Sequence, residues 1–167
     1  MARADELGVE DAVAFLKEVD AINLRRRDRV VSLAVAALGG DPSGRRVTVL
    51  GAAFKPNSDD IRDSPALNVA AQLQLQGAVV QVTDPAAGEN IKRSWPQLDV
   101  VDTAEEAAKG ADAVLLLTEW KQYRELDPVA FGRVVARKSV LDGRNALDRD
   151  AWTAAGWTYR ALGRRAG

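Results

Sequence analysis

The segment VTVLGA, residues 47–52, decides the fold class, because it is a short, uncharged run rich in β-branched and apolar residues. Three later segments are similar: AVVQVT at 78–83, AVLLLT at 113–118 and SVLD at 139–142. Such runs are typical of strands that are buried on both faces of a parallel sheet. Weaker strand candidates lie near Val100 and Tyr159. Helical stretches alternate with these strands, which predicts an α/β fold: a Rossmann-like, doubly wound and mostly parallel sheet.

The predicted helices carry local start and stop signals. Ser64 and Pro65 are typical of an N-cap and a first helical position, and Gly77 stands where that helix would end. The same kinds of signal recur later in the chain, at Thr103 with Glu106 and the stop Gly110, at Asp127 with Pro128, and at Asp148 with the stop Gly156.

One long helix is expected ahead of the sheet, from about Val9 to Leu38. At 1.5 Å per residue it would be roughly 45 Å long, so one end must protrude or meet a partner. Gly39 and Gly40 end it, and we expect two units: a long helix at 1–40 and a sheet domain at 45–167. Its apolar residues recur every three or four positions, at Val9, Val13, Leu16, Val19, Ile22, Val30, Leu33 and Ala37.

Three consecutive arginines at 25–27 interrupt this apolar stripe. They are either a solvated helix face or a basic contact for another subunit. The chain as a whole has 23 Lys and Arg against 24 Asp and Glu, so its charge predicts neither nucleic acid nor an acidic membrane as a partner.

The composition excludes several chemistries. The 167 residues contain no Cys and no His, which removes thiol nucleophiles, imidazole bases, disulfides and Cys/His metal sites. No apolar run approaches the length of a membrane span, and the start lacks a signal-peptide pattern. We therefore expect a cytoplasmic protein.

The connection after the first strand, residues 53–63, is long and chemically rich. Phe54 offers a flat surface for a base, Lys55 a mobile charge for a phosphate, and Arg62 a fork suited to pyrophosphate or carboxylate. The loop leads into a helix N-terminus, which favours an anion. Alternatively, Lys55 and Arg62 pair with the aspartates at 59, 60 and 63.

Other strand ends supply further candidates. VLGAAF contains one glycine where a dinucleotide fingerprint requires three. Asp84 is either a turn residue or a reader of a ribose hydroxyl, and Trp120 either packs in the core or stacks on a ligand. Asp142 and Gly143 form a tight turn that presents Arg144, as a second phosphate ligand or as a surface residue. We expect Lys55, Arg62 and Arg144 to converge on one pocket for a diphosphate.

Five strings carry a family resemblance: VTVLGAAFKPNSDDIRDSPAL, QVTDP, ADAVLLLTEW, LDGRN and GWTYRALGR. Together they resemble the C-terminal part of the UDP-glucose 6-dehydrogenase family, within the wider UDP-glucose/GDP-mannose dehydrogenase group. The likeness covers nearly the whole chain. It implies that the long helix is a dimerisation helix, that the chain forms a homodimer, and that the rest is a UDP-binding domain.

The resemblance also implies roles for single residues. Phe54, Lys55 and Arg144 match positions that bind the UDP-glucose substrate, and Arg62 matches one that reaches NAD on another nucleotide-binding domain. In such enzymes NAD oxidises UDP-glucose to UDP-glucuronate, a precursor in polysaccharide biosynthesis.

The chain departs from that family in two respects, since it lacks the catalytic Cys and the glycine-rich NAD domain. The resemblance therefore implies part of an enzyme, with no catalytic residue of its own here and no dehydrogenase activity by itself. The alternative is a catalytically silent dimerisation or interaction module that has lost ligand binding.

Overall fold

The computed structural model describes the backbone of residues 10–163 and the side chains of residues 17–163. Its strands are β1 (Arg46–Leu50), β2 (Val79–Thr83), β3 (Asp99–Val100), β4 (Ala113–Leu116), β5 (Ser139–Asp142) and β6 (Thr158–Ala161). Its helices are α1 (Glu10–Ala37), α2 (Pro65–Leu75), α3 (Gly88–Ser94), α4 (Ala104–Ala108), α5 (Lys121–Arg124), α6 (Pro128–Phe131) and α7 (Arg149–Ala154).

The six strands form one sheet in the order β3-β2-β1-β4-β5-β6, and every neighbouring pair is parallel. This confirms the predicted doubly wound α/β fold, including the two weaker strands at Val100 and Tyr159. Every residue of β4 and β5 is buried, as expected for strands covered by helices on both faces.

The strand order reverses beside β1, where β2 extends the sheet one way and β4 the other. In register, Leu50 at the end of β1 pairs with Leu116, which pairs with Asp142 at the end of β5. The loops that follow these three strands therefore start level with one another at the carboxyl edge, where open α/β sheets bind ligands.

The predicted helix caps are confirmed. Ser64 accepts a hydrogen bond from the N–H of Leu67 at 3.3 Å, and Pro65 occupies the first position of α2. Thr103, Asp127 and Asp148 likewise accept backbone N–H bonds at the starts of α4, α6 and α7.

The long helix α1 ends at Ala37, one residue before its predicted end, and it is helical from residue 10, where the described part of the chain begins. The side chains described along it differ in burial. Val30, Val31 and Ala34 are buried in the core, whereas Ile22 and Leu24 are 42% and 56% exposed. Among the side chains described, from residue 17 onwards, the buried residues of the predicted stripe, Val30 and Ala37, lie in the C-terminal part of α1. Val9, the side chains of Val13 and Leu16, and the tail at 164–167 lie outside the described part of the chain.

The division into units 1–40 and 45–167 stays a prediction. Within residues 10–163, none of the helices combines the length and hydropathy that crossing a bilayer requires.

Candidate functional site

An open cavity of about 800 Å³ lies at the carboxyl edge of the sheet, between α1 and the loops that follow β1, β4 and β5. Phe54 and Lys55 reach it from the β1 loop, Leu117 from the end of β4, and Arg144 from the β5 loop. Three of the predicted site residues, Phe54, Lys55 and Arg144, therefore share one cavity. We call it the basic cavity.

The two residues before Phe54, Ala52 and Ala53, form hydrogen bonds to side chains through both of their N–H groups and both of their carbonyls. Asp84 Oδ2 accepts hydrogen bonds from the N–H groups of Ala52 and Ala53, at 2.7 and 2.8 Å. Ser64 Oγ donates to the carbonyl of Ala52 at 2.6 Å, and Thr118 Oγ1 donates to that of Ala53 at 2.7 Å. The loop that carries Lys55 therefore starts from a fixed point.

Asp84 has a structural role, which agrees with its predicted role as a turn residue. Its Oδ1 accepts from the N–H groups of Ala86 and Ala87 at 3.0 and 2.9 Å, and its Oδ2 also accepts from the indole N–H of Trp120 at 3.1 Å. The carboxylate is buried and joins the loops after β1, β2 and β4. Trp120 is itself buried, which confirms its packing role.

A second buried carboxylate, Asp142, organises the loop that carries Arg144. Its Oδ1 accepts from the N–H of Arg144 at 2.9 Å, and its Oδ2 accepts from those of Ala146 and Leu147, both at 2.8 Å. The hydroxyl of Tyr159 donates to the same Oδ2 at 2.8 Å. Asp142 is fully buried, so these donors replace the water that would otherwise solvate its charge.

The side chain of Arg144 is fixed by Glu119, from the loop after β4. Arg144 Nε donates to Oε2 at 2.6 Å and Nη2 donates to Oε1 at 3.0 Å, a bidentate pair. These hydrogen bonds lower the pKa of Glu119 and raise the pKa of Arg144. The pair is therefore ionised at neutral pH.

The helix α1 adds cations that the sequence reasoning did not place at the site. Arg26, Arg27 and Arg29 line the basic cavity. Arg27 Nη2 donates to the carbonyl of Asp63 at 3.3 Å, while its Nε is buried without a hydrogen-bond partner. The arginines that interrupt the apolar stripe were noticed in the sequence. Both roles predicted for them, a solvated helix face and a contact with another subunit, placed them away from the ligand-binding loops.

Arg62 does not join Lys55 and Arg144, so the expectation of one pocket for all three was wrong in that respect. It lines a second cavity of about 430 Å³, together with Asp59, Asp60 and Arg93. Asp60 binds it locally: Nε donates to Oδ1 at 3.0 Å and Nη2 to Oδ2 at 2.8 Å. This is the alternative pairing that the sequence left open, and it lowers the pKa of Asp60 to about 2. We call this space the second cavity.

The basic cavity is suited to a polyanion. Its charged lining residues are Arg25, Arg26, Arg27, Arg29, Lys55 and Arg144, and none of the described lining residues is acidic. Clustered cations in a concave, partly desolvated surface attract phosphate groups more strongly than separate surface charges do. Among residues 17–163, no group of three or more acidic side chains is arranged to hold a metal ion.

The fold and this cavity define an α/β domain of the doubly wound class, with an open cavity at the edge of the sheet where such folds bind ligands. The chain belongs to the UDP-glucose/GDP-mannose dehydrogenase family: the profile of that family's UDP binding domain matches residues 48–149.

Its relatives agree with this assignment. The chain is 35% identical over 159 residues to UDP-glucose 6-dehydrogenase YwqF of Bacillus subtilis, covering 95% of this chain and 36% of that protein. It is 37% identical over 152 residues to UDP-glucose 6-dehydrogenase of Rhizobium meliloti, covering 91% and 35%. The chain therefore spans about a third of the length of these relatives.

A solved structure is also similar. The UDP-glucose dehydrogenase of Pyrobaculum islandicum is 34% identical to this chain and superposes with a TM-score of 0.73, covering 87% of this chain and 32% of that one.

Proposed function

We propose that this chain is the nucleotide-sugar-binding part of an NAD-dependent UDP-glucose 6-dehydrogenase, and that UDP-glucose binds in the basic cavity. One observation carries the proposal: Lys55 and Arg144, delivered by separate loops, face one cavity whose described lining holds further arginines and no acid. The names of the relatives support the choice of sugar nucleotide.

The proposed contacts follow from the chemistry of the lining residues. The diphosphate lies between Lys55, a point charge, and Arg144, a fork of N–H donors, since both residues line the basic cavity. Phe54 is 55% exposed and gives the ligand an aromatic surface. An anion in this position would also compensate the charge of Arg27, whose Nε has no partner.

The domain's own residues do not form a dinucleotide loop. The one glycine of the β1 turn, Gly51, has φ +85°, and a Cβ there would lie 2.5 Å from Cβ of Thr118. This glycine serves close packing against the β4 loop, not close approach of a pyrophosphate. We therefore assign the main NAD contacts to another part of the intact enzyme. Arg62, in the second cavity, is the residue of this domain that we propose reaches the cofactor.

In the intact enzyme we propose oxidation of UDP-glucose to UDP-glucuronate, with NAD as hydride acceptor. Because the 167 residues contain no Cys, they cannot supply a thiol nucleophile to that reaction. The purified chain, given UDP-glucose and NAD, should produce no NADH.

We also propose that the chain forms a homodimer through α1. Support comes from the length of the helix and from its exposed apolar residues, Ile22 and Leu24. Sedimentation of the chain should report a dimer, and Leu24→Glu should shift it towards monomer. A monomer at every concentration of the wild type would contradict this assembly.

Calorimetric titration with UDP and with UDP-glucose tests the binding proposal. We expect measurable but weak binding, because a cleft shared between domains offers one part only some of its contacts. Lys55→Ala should abolish this binding. Lys92→Ala is the matched control, since Lys92 lies on α3 in an exposed pair with Glu89 at 3.1 Å and outside the basic cavity.

Two outcomes would contradict the proposal. Equal binding by the two lysine variants would place the ligand elsewhere. An absence of heat with either ligand at any concentration would instead favour a silent dimerisation or interaction module.

A further inference from the structure

Arg144 and Glu119 are far apart in sequence but form the tightest side-chain ion pair that involves the basic cavity. The Nε–Oε2 distance is 2.6 Å, and both groups are partly shielded, with side-chain exposures of 41% for Arg144 and 30% for Glu119. The pair links the loops after β4 and β5, whose starts are also joined by a backbone hydrogen bond from the N–H of Gly143 to the carbonyl of Leu116 at 2.9 Å.

The geometry of the pair leaves three of the five N–H donors of the guanidinium available. A guanidinium has five N–H donors, and Glu119 takes one on Nε and one on Nη2. Three hydrogens remain, two on Nη1 and one on Nη2, and the adjoining Nη1–Nη2 edge presents two of them side by side. Arg144 lines the basic cavity and Glu119 does not. The Glu119 carboxylate therefore binds the Nε–Nη2 edge of the guanidinium and leaves the Nη1–Nη2 edge available to a ligand in the cavity.

Glu119 has two opposite effects on an anionic ligand. Its negative charge weakens the positive field of the cavity, which alone would lower affinity. By holding Arg144 in one rotamer, it also removes side-chain entropy that binding would otherwise cost. The cavity has five further cations in its lining, so the charge of Glu119 offsets only part of the positive field.

We propose that Glu119 is a positioning residue for nucleotide-sugar binding, which fixes the guanidinium of Arg144 so that its remaining donors face the diphosphate. The inference rests on the proposed function, since it requires a phosphate ligand in the basic cavity. It assigns Glu119 no contact with the ligand itself. The backbone of the same arginine is fixed separately, by Asp142.

Two substitutions at Glu119 separate its positioning of Arg144 from the effect of its negative charge. Glu119→Gln removes the charge and one strong acceptor, whereas Glu119→Asp keeps the charge but is one methylene too short for the same two-point contact. Glu125→Gln is the matched control, because Glu125, directly after α5, forms an exposed pair with Lys121 at 3.7 Å. It removes the same charge from the same β4–β5 connection without touching Arg144.

The readout is the Kd of UDP for the full chain, measured by calorimetry at two salt concentrations. Glu119→Gln and Glu119→Asp should each raise Kd about three- to tenfold, and Glu125→Gln less than about twofold. The salt dependence of Kd should stay that of the wild type in Glu119→Asp, which keeps the charge, and should become steeper in Glu119→Gln, which removes a negative charge beside the cavity. In Arg144→Gln, Kd should rise and the salt dependence should weaken. Thermal unfolding of each variant checks that the fold is retained.

Each failure has its own signature. Tighter UDP binding by Glu119→Gln, or wild-type binding by Glu119→Asp, would overturn the positioning role while the proposed function stands. Wild-type binding by Arg144→Gln would also overturn it, since there would be nothing for Glu119 to position. No binding of UDP by the wild type would overturn the proposed function, and the positioning role with it.

Discussion

The two cavities contain arginines that are held in the same way in opposite surroundings. Arg144 is bound through Nε and Nη2 by Glu119, and Arg62 through Nε and Nη2 by Asp60. Yet the charged residues that line the basic cavity are all cations, whereas Asp59 and Asp60 balance Arg62 and Arg93 in the second cavity. Ion pairing of a single arginine therefore does not decide whether a cavity attracts phosphate; the sum of the surrounding charges does.

The two pairs also differ in what they hold. Asp60 and Arg62 are two residues apart, and the Arg62 side chain is 88% exposed, so their pair shapes one loop. Glu119 and Arg144 join two loops across the carboxyl edge of the sheet. The Asp60–Arg62 pair is thus a local contact within one loop, whereas the Glu119–Arg144 pair connects two loops that line the basic cavity.

The largest effect is expected on stability, at Asp84, which holds the start of the β1 loop that lines both cavities. Asp84→Ala removes a buried acceptor of five N–H bonds and leaves four backbone donors unpaired. The free energy of unfolding should fall by at least about 3 kcal/mol, measured by urea denaturation. Asp99→Ala, at an exposed carboxylate that accepts from Gln81 at 2.8 Å, is the control and should cost less than about 1 kcal/mol. Equal losses in the two variants would contradict the anchoring role.

The next effect compares the two arginines directly. Arg144→Gln should raise the Kd of UDP about tenfold, because a charged donor to phosphate is lost, while Arg62→Gln should change it less than about twofold. Calorimetry on both variants measures the difference. A larger loss of UDP affinity in Arg62→Gln than in Arg144→Gln would place the nucleotide in the second cavity.

A smaller effect is expected from the cations on α1. Among residues 17–163, neither Arg26 nor Arg29 forms an ion pair, so each contributes its full charge to the basic cavity. Arg26→Gln or Arg29→Gln should weaken UDP binding about two- to fivefold at low salt, and less at high salt, where charges are screened. Arg93→Gln, in the second cavity, is the control. An effect that is equal at both salt concentrations would argue against an electrostatic role.

The smallest effect concerns pH. The pKa of Asp60 is about 2 in the folded chain, below its ordinary value of 3.8, because Arg62 donates hydrogen bonds to the ionised carboxylate. A depressed pKa adds stability that is present above pH 3.8 and is lost as the pH falls through about 2. The thermal midpoint of the wild type should thus slightly exceed that of Asp60→Asn at neutral pH, and the difference should close in acid. A difference that grows on acidification would contradict this sign.

Much of the fold was predictable because its signals are local. The strand run at 47–52, the cap at Ser64 and the turn at Asp142–Gly143 each depend on residues that are adjacent in sequence. The loops after β1 and β5 could likewise be placed at one edge, since parallel strands end together.

The charge of the two cavities could not be predicted in the same way. Whether Arg27 faces solvent or a ligand depends on how α1 packs against the sheet, which is a tertiary arrangement without a local signal. The pairing of Arg144 with Glu119 joins positions 25 residues apart. For Arg62, the sequence offered both the ligand role and the local pair, and only the geometry placed it away from Lys55.

The most direct test of the central claim is an amide NMR titration of the ¹⁵N-labelled chain with UDP. If the basic cavity is the nucleotide site, the shifts should concentrate at residues 25–29, 54–55 and 143–145, and residues 59–62 and 90–94 should change little. Shifts confined to the second cavity, or no shifts at saturating UDP, would contradict the claim that the balance of charge separates the two sites.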